Sequence, residues 1–321
     1  MKFSIITPVY NRADCIVRCM ESVTKNVGGR IDVEHIVVDD GSIDETPHIV
    51  NQYAISYSHV VFHSFPQNRG TNAARNEAIK NAKGKWCVIL DSDDYWDENA
   101  LKIIDETVDA HPEIRHFCFA PDDMQSYYEN NRLIAGRKCA LLTFEDFLMG
   151  RVSGDFVHVI QTDILRQYPF DENLRIYEGV FFLSFYKEAQ NILFTNRIVS
   201  HRERGRDDSV SYEFLRTNRT IVERIVQAGE VYESRFTEDL SCIIGGEDLL
   251  WHHQLALLEN YVLLGEYGKA RKLLYEIKYV RLRKVPLRLI LFCKLRLGGL
   301  YFTVLRFHLY IKYRILNKRL K

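Results

Sequence analysis

The chain has 321 residues, 46% hydrophobic and 27% charged, with 43 Lys+Arg cancelling 43 Asp+Glu. That composition excludes disorder, collagen and coiled coil, and the length suffices for one large domain or two of average size. Seven scattered cysteines (Cys15, Cys19, Cys87, Cys118, Cys139, Cys242, Cys293), with no CxxC pair and no zinc-spaced histidine, predict free thiols in a reducing compartment. The N-terminus runs into an apolar strand without a signal peptide's basic segment and cleavage site, so a cytoplasmic location is expected.

Strands and helices alternate through the first third. Phe3–Pro8 reads as a buried strand, followed by helical spacing at Ile16, Met20 and Val23 that ends at Gly28-Gly29. His35–Val38 is a second strand breaking at Asp39-Asp40-Gly41-Ser42, and Ser42-x-x-Glu45 predicts a capping box for the next helix. Val60–Phe62 is a third strand, 72–82 a helix closed by Gly84, and Trp86–Leu90 a fourth strand. This alternation predicts a parallel sheet covered on both faces, with ligands beyond the carboxyl ends of its strands. From Arg115 to about His201 the pattern loosens into short elements, and a soft boundary falls in the polar stretch 202–209. From Tyr212 onward the chain reads helical, with a helical pair (255–266 and 269–278) hinged at Gly265–Gly268.

Zero net charge hides an asymmetry. No acidic residue follows Glu276, while residues 277–321 carry thirteen Lys/Arg, leaving 1–276 at −13. A basic tail rich in Leu, Ile, Phe and Tyr on an acidic body points to an anionic partner surface. Its longest uncharged run, Leu297–Leu305, is too short for the roughly 20 residues of a spanning helix. The tail is therefore expected to lie on a bilayer rather than cross it, against the plainer reading of C-terminal helices packed on the body with snorkelling bases.

The strongest local signal is Val88-Ile89-Leu90-Asp91-Ser92-Asp93-Asp94, an apolar strand that delivers three carboxylates onto one turn. Crowded carboxylates raise one another's pKa and call for a cation, with Mg²⁺ or Mn²⁺ the natural guest; the competing reading spends Asp93 or Asp94 on capping the next helix. Asp39-Asp40 forms a second acidic tip at the same sheet edge.

Four segments in order (4–12, 37–46, 68–76 and 82–94) resemble the inverting family 2 glycosyltransferases with the GT-A fold, closely over residues 3–96 and loosely to about residue 212. The resemblance implies an α/β fold: a GT-A nucleotide-binding sheet covered by helices over 1–208, then a helical C-terminal region (209–321) with the basic amphipathic tail at about 281–321. It implies a UDP-sugar donor held by Pro8, Tyr10, Asn11, Arg12, Asp40, Arg75, Asp91 and Ser92, with Asp40 on the uracil edge. Asp91-Ser92-Asp93 matches the DxD motif, so Asp93 is the expected ligand of Mn²⁺ or Mg²⁺ and Asp91 lies near it or the ribose. Arg202 and Arg204 resemble the family's basic loop near the diphosphate, a solvated charged loop being the alternative.

An inverting transfer needs a base for the acceptor hydroxyl. The family supplies it from a Glu-Asp pair after a Phe-Asp-Glu-x-Leu stretch; here Phe170-Asp171-Glu172-Asn173-Leu174 is followed by Glu178-Gly179, with glycine where the catalytic Asp normally stands. Three readings compete: Glu178 serves as base, another acid such as Asp155 or Glu172 does, or transfer is crippled. His158, Cys15 and Cys19 read as core, and Tyr95-Trp96 as either sugar-pocket wall or core.

The expected activity is inverting, metal-dependent transfer of a sugar from a UDP-sugar to a saccharide hydroxyl, the acceptor being carried on a membrane lipid as in bacterial surface polysaccharide assembly. The protein is then cytoplasmic and peripheral on the inner membrane face, with no nucleic-acid partner. The alternatives are a UDP-sugar-binding or scaffold protein with a degenerate base, and a nucleotidyltransferase, disfavoured because Pro8–Arg12 replaces a Gly-rich phosphate loop.

Overall fold

The computed structural model describes residues 1–174, 177–203 and 219–310. The chain divides into two compact units, Met1–Arg206 and Asp207–Lys321.

The first unit opens with β1 (Phe3–Val9), α1 (Ile16–Val27), β2 (Val33–Asp39), α2 (Thr46–Ser56), β3 (Val60–Ser64), α3 (Thr71–Asn81) and β4 (Trp86–Ile89). It continues through β5 (Tyr95–Trp96), α4 (Ala100–Ala110), β6 (His116–Pro121), α5 (Gln125–Asn130), β7 (Cys139–Thr143) and α6 (Phe144–Leu148). It closes with β8 (Val157–Gln161), α7 (Thr162–Gln167), α8 (Gly179–Ala189) and β9 (Asn191–His201). All nine strands join one sheet in the order β3-β2-β1-β4-β8-β6-β9-β5, with β7 also on β9.

The four strands β3, β2, β1 and β4 are mutually parallel. β1 and β2 are buried along their whole length, with apolar residues at most positions and the polar ones internally hydrogen-bonded. The polar exceptions pair with each other: Ser4 Oγ donates to Glu34 at 2.6 Å, and Thr7 Oγ1 lies 2.9 Å from His35 Nε2. Pro8 is in register with Val38, while pairing between β1 and β4 runs only to Ile6↔Ile89, so its missing N–H falls where that ladder has ended. Past β4 the expectation of a parallel sheet gives way. β8 enters antiparallel between β4 and β6, and β9 runs parallel to β6 but antiparallel to β5 and β7. The core under α1 and α4 is built on Phe3, Ile16, Met20, Trp86, Ile104 and Phe117, all buried.

The capping box expected at Ser42 does not form. α2 begins at Thr46 with Glu45 at its N-cap, and no side chain caps it. Ser42 Oγ instead accepts the Asn11 amide at 2.8 Å, and the helix start is set by Pro47 in its first turn.

The second unit is helical: α9 (Arg219–Cys242), α10 (Gly246–Leu264), α11 (Tyr267–Tyr275), α12 (Leu287–Leu295) and α13 (Gly298–Tyr310). Gly265, at φ 78°, ends α10 in the left-handed conformation that glycine tolerates. α11 stops at Tyr275 and continues as a wide π turn, Glu276–Val280. A Cβ at Gly298 would lie 1.9 Å from the Val262 carbonyl, so only glycine lets α13 start against α10. Among the described residues no helix is long and apolar enough to cross a membrane.

Candidate active site

Parallel β1, β2 and β4 point their carboxyl ends to one edge of the sheet, and the turns that follow are laced together there. Asn11 takes a left-handed conformation (φ 50°); its Oδ1 accepts the Ile43 amide at 2.9 Å, while the Arg12 amide donates to Thr46 Oγ1 at 2.8 Å. Asp44 accepts the Ala13 amide, so the turn carrying Tyr10, Asn11 and Arg12 is moulded on the turn after β2. Pro8 is buried at its base, and Tyr10 is 39% exposed at its tip.

Asp40 is buried, and its carboxylate does something the sequence did not suggest. Oδ1 accepts the Arg69 amide at 2.7 Å and Oδ2 the Gly70 amide at 2.8 Å, fixing the loop that enters α3. The expectation of a uracil contact therefore meets a carboxylate with one backbone amide already on each oxygen. Gly41 (φ 72°) lets this happen, because a Cβ there would sit 2.4 Å from the Gln67 backbone.

The acidic turn after β4 rests on α1. Cys15 and Cys19, beyond filling the core, direct their thiols at the carbonyls of Ser92 and Asp91, each at 3.7 Å. Arg18, not singled out in the sequence, donates to the Asp93 carbonyl at 2.9 Å, covers the Tyr95 ring at 4.7 Å and pairs with Glu203. Ser92 is buried, and the Asp91 side chain is half exposed. Burial, then the charges of Asp91 and Asp93, push the Asp94 carboxyl up to about 8, against the opposing pull of Arg202 and the Glu203 amide. Neither Asp93 nor Asp94 caps α4, whose N-cap is Asn99.

Asp91, Asp93 and Asp94 are hard oxygen donors of the kind that Mg²⁺ or Mn²⁺ takes, with the Arg75 guanidinium already on Asp91. Among the described residues the only trio of ligand atoms converging within 4.8 Å is His116, Cys118 and His158, which is buried. His116 Nε2 and His158 Nδ1 are 3.0 Å apart, as a hydrogen bond between neutral rings requires.

Arg75 is the hinge of the site. It is almost buried, with its guanidinium 5.6 Å from the Phe170 ring centroid. Nη2 donates to Asp91 Oδ1 at 3.0 Å and Nη1 lies 3.5 Å from Glu178 Oε1. Burial opposes its charge, but the two carboxylates outweigh that and hold its pKa above the ordinary arginine value. Its Nε is buried with no partner in the structure. Arg75, named above among the donor-binding residues, is thus held between two carboxylates at the start of α3 and is not a solvated side chain. Asn72, one turn earlier, donates to the carbonyls of Asp171 and Leu174, which ties α3 to the segment preceding Glu178.

Glu178 is the N-cap of α8, and Gly179 opens the helix with nothing within 4 Å of where its Cβ would be. The other two acids weighed as bases are differently placed. Glu172 pairs with Arg69 at 2.9 Å and Asp155 with Arg202 at 3.0 Å.

Arg202 departs from the expected diphosphate-facing arginine. Its guanidinium forks onto Asp123 (2.9 and 3.3 Å) and also meets Asp155, because strand β9 brings it against the acidic turn after β6. Arg204 lies outside the described residues. His201 bridges Asp122 at 2.9 Å and Asp97 at 3.2 Å. Trp96 is core, whereas Tyr95 stacks between Arg18 and His201.

This edge gathers acids at the ends of parallel strands with an arginine behind them. Residues 4–158 match the family model Glycosyl transferase family 2. The N-terminal unit is a family 2 glycosyltransferase domain with the GT-A fold. A poly(ribitol-phosphate) beta-glucosyltransferase of Bacillus spizizenii is 44% identical over 102 residues, 32% of this chain and 16% of that protein. The chain thus spans about a sixth of that curated relative's length. Among solved structures, Staphylococcus aureus TarS 1–349 in complex with UDP-GlcNAc matches with TM-score 0.56 at 18% identity, over 89% of this chain and 93% of that one. The mannosyltransferase PcManGT of Pyrobaculum calidifontis, in complex with GDP-Man and Mn²⁺, matches with TM-score 0.59 at 16% identity, over 95% and 87%.

Proposed function

We propose that the protein is an inverting glycosyltransferase that moves a sugar from a UDP-sugar to a saccharide hydroxyl. One observation carries this reading: Arg75 bridges Asp91 of the acidic turn and Glu178 at the start of α8, so the donor end and the candidate base share one buried cation. The nucleoside lies in the cleft formed by the Pro8–Arg12 turn, with Asp40 shaping its wall through the 69–70 loop. Asp93, with Asp91 beside it, would hold Mn²⁺ or Mg²⁺, which would supply positive charge against the leaving diphosphate. Glu178 takes the proton from the acceptor hydroxyl as that oxygen attacks the anomeric carbon opposite the diphosphate, and α-linked donor becomes β-linked product. Arg75 orients the Glu178 carboxylate.

The relatives whose names specify polyol-phosphate polymers support a surface-polymer acceptor, and the basic C-terminal region supports one carried on a membrane lipid at the cytoplasmic face. The test is UDP release across a panel of UDP-sugars, with and without Mn²⁺, using a lipid-linked saccharide. Release should need the metal and one preferred donor, and Asp93→Ala should abolish it. Binding of UDP and Mn²⁺ without mutual enhancement in calorimetry would refute the assignment.

A further inference from the structure

Helices α12 and α13 are apolar on two sides. Their inward sides supply Leu289 and Cys293, with Phe292, Tyr301 and Leu305 packed on the core of the second unit. The Phe292 and Tyr301 rings stack at 4.6 Å, and the Tyr267 hydroxyl accepts the Gly298 amide at 2.9 Å, so the hairpin is fastened from within. Its outward sides carry a second set. Leu287, Leu291 and Leu295 recur at i, i+4 and i+8 on α12 and are 46–69% exposed; Leu300, Val304 and Phe307 recur at i, i+4 and i+7 on α13 at 57–65%. A globular helix needs only one apolar stripe, and a second contiguous one marks a surface that something else covers.

The charges beside these stripes identify what covers them. Arg281 and Arg283 are neutralised by Glu247 and Asp248. Lys284, Arg288, Lys294, Arg296 and Arg306 are exposed, and no carboxylate pairs with them among the described residues. Outward leucines flanked by unpaired bases match an interface that is hydrocarbon a few ångströms in and phosphate at its surface.

We propose that the outward stripes of α12 and α13 insert into the headgroup boundary of an anionic bilayer, with the neighbouring bases at the lipid phosphates. This deepens the membrane attachment proposed above and rests on that reading for its partner, but on none of the transfer chemistry. It differs from charge attraction alone by requiring apolar insertion, which salt does not screen.

The experiment is co-sedimentation of the full chain with phosphatidylglycerol-containing and with phosphatidylcholine vesicles, at low salt and at about 0.5 M NaCl, where the Debye length is only a few ångströms. The wild type should bind the anionic vesicles and retain part of that binding at high salt. Leu287→Ser/Leu291→Ser/Leu295→Ser should lose about tenfold or more of the salt-resistant binding, while circular dichroism and UDP release to a soluble acceptor stay unchanged. Arg288→Ser/Lys294→Ser/Arg296→Ser should lose the preference for anionic lipid. Tryptophan at 291, in Leu291→Trp, should shift to the blue on anionic vesicles and be quenched by brominated acyl chains. No vesicle binding by the wild type overturns the attachment itself. Binding that the leucine variant keeps at high salt overturns the insertion face and leaves charge attraction standing. A dimer that the leucine substitutions dissociate, or salt-sensitive oligonucleotide binding in place of vesicle binding, assigns the face to another partner.

Discussion

Asp91 and Glu178, carried on different elements far apart in sequence, contact the same guanidinium, that of Arg75, at 3.0 and 3.5 Å. Two carboxylates around one buried cation form a unit in which each member fixes the geometry of the others, and removing the cation leaves like charges facing each other.

Arg75→Ala is therefore expected to be worse than loss of one contact. Breaking a buried ion pair from one side costs about 3–5 kcal/mol. Denaturant unfolding should show a destabilisation of that order, and transfer should fall by more than that of a variant of the half-buried Arg12. A fully stable, active Arg75→Ala would remove the bridge from the mechanism.

Glu178→Gln keeps shape and removes the proton acceptor. Transfer should drop by about 10²–10⁴, the span of general-base catalysis, with donor binding preserved in calorimetry. Wild-type turnover in Glu178→Gln would send the role to Glu172 or Asp155.

Gly179→Asp tests the missing family residue directly. The site has open space for a side chain and no left-handed φ, and an acid in the first turn of α8 suits the helix dipole. The variant should fold as the wild type does and gain nothing in transfer. A large gain would mean that the natural chain has a degenerate base.

Stability should fall in acid for a reason unrelated to the site. Burial lowers His35 to about 3, and His158 likewise. Each is neutral when folded, while the unfolded chain binds a proton below about 6.5. Their contribution is thus complete above that pH and is lost as pH falls towards 3, at up to about 1.4 kcal/mol per pH unit for each. Urea unfolding between pH 7 and 5 should show this slope, and His35→Gln should flatten it. His201 has the opposite sign: burial works against its charge, but Asp122 and Asp97 outweigh that and raise its pKa. Its contribution is present below about 6.5 and disappears as pH climbs through the raised value, which a histidine NMR titration would reveal.

The first four strands were legible because each holds a short apolar run (Ile5-Ile6, Ile36–Val38, Val60–Phe62, Trp86–Ile89) ending in a polar turn. The antiparallel continuation was not, since β5 to β8 are short and the partners of β9, an eleven-residue strand of which only Ile192–Phe194 reads as a clear apolar run, are set by packing. Within the site, the acidic turn announced itself by three carboxylates in four residues. Arg75 was named only through the family resemblance, and its pairing with Glu178, 103 residues on, lay beyond any local sequence window. The ion pairs of Arg202 were hidden for the same reason: Asp123 and Asp155 come from the stretch where periodicity fails. Ser42 shows the converse error, a local motif whose hydroxyl a distant amide had taken.

Gly41 allows one last deduction. Any side chain there would compete for volume with the main chain at Gln67 rather than with its own turn. Damage at this position would surface elsewhere: the amides of Arg69 and Gly70 would drift off Asp40, and the entrance of α3, with the arginine it aims, would lose its anchorage.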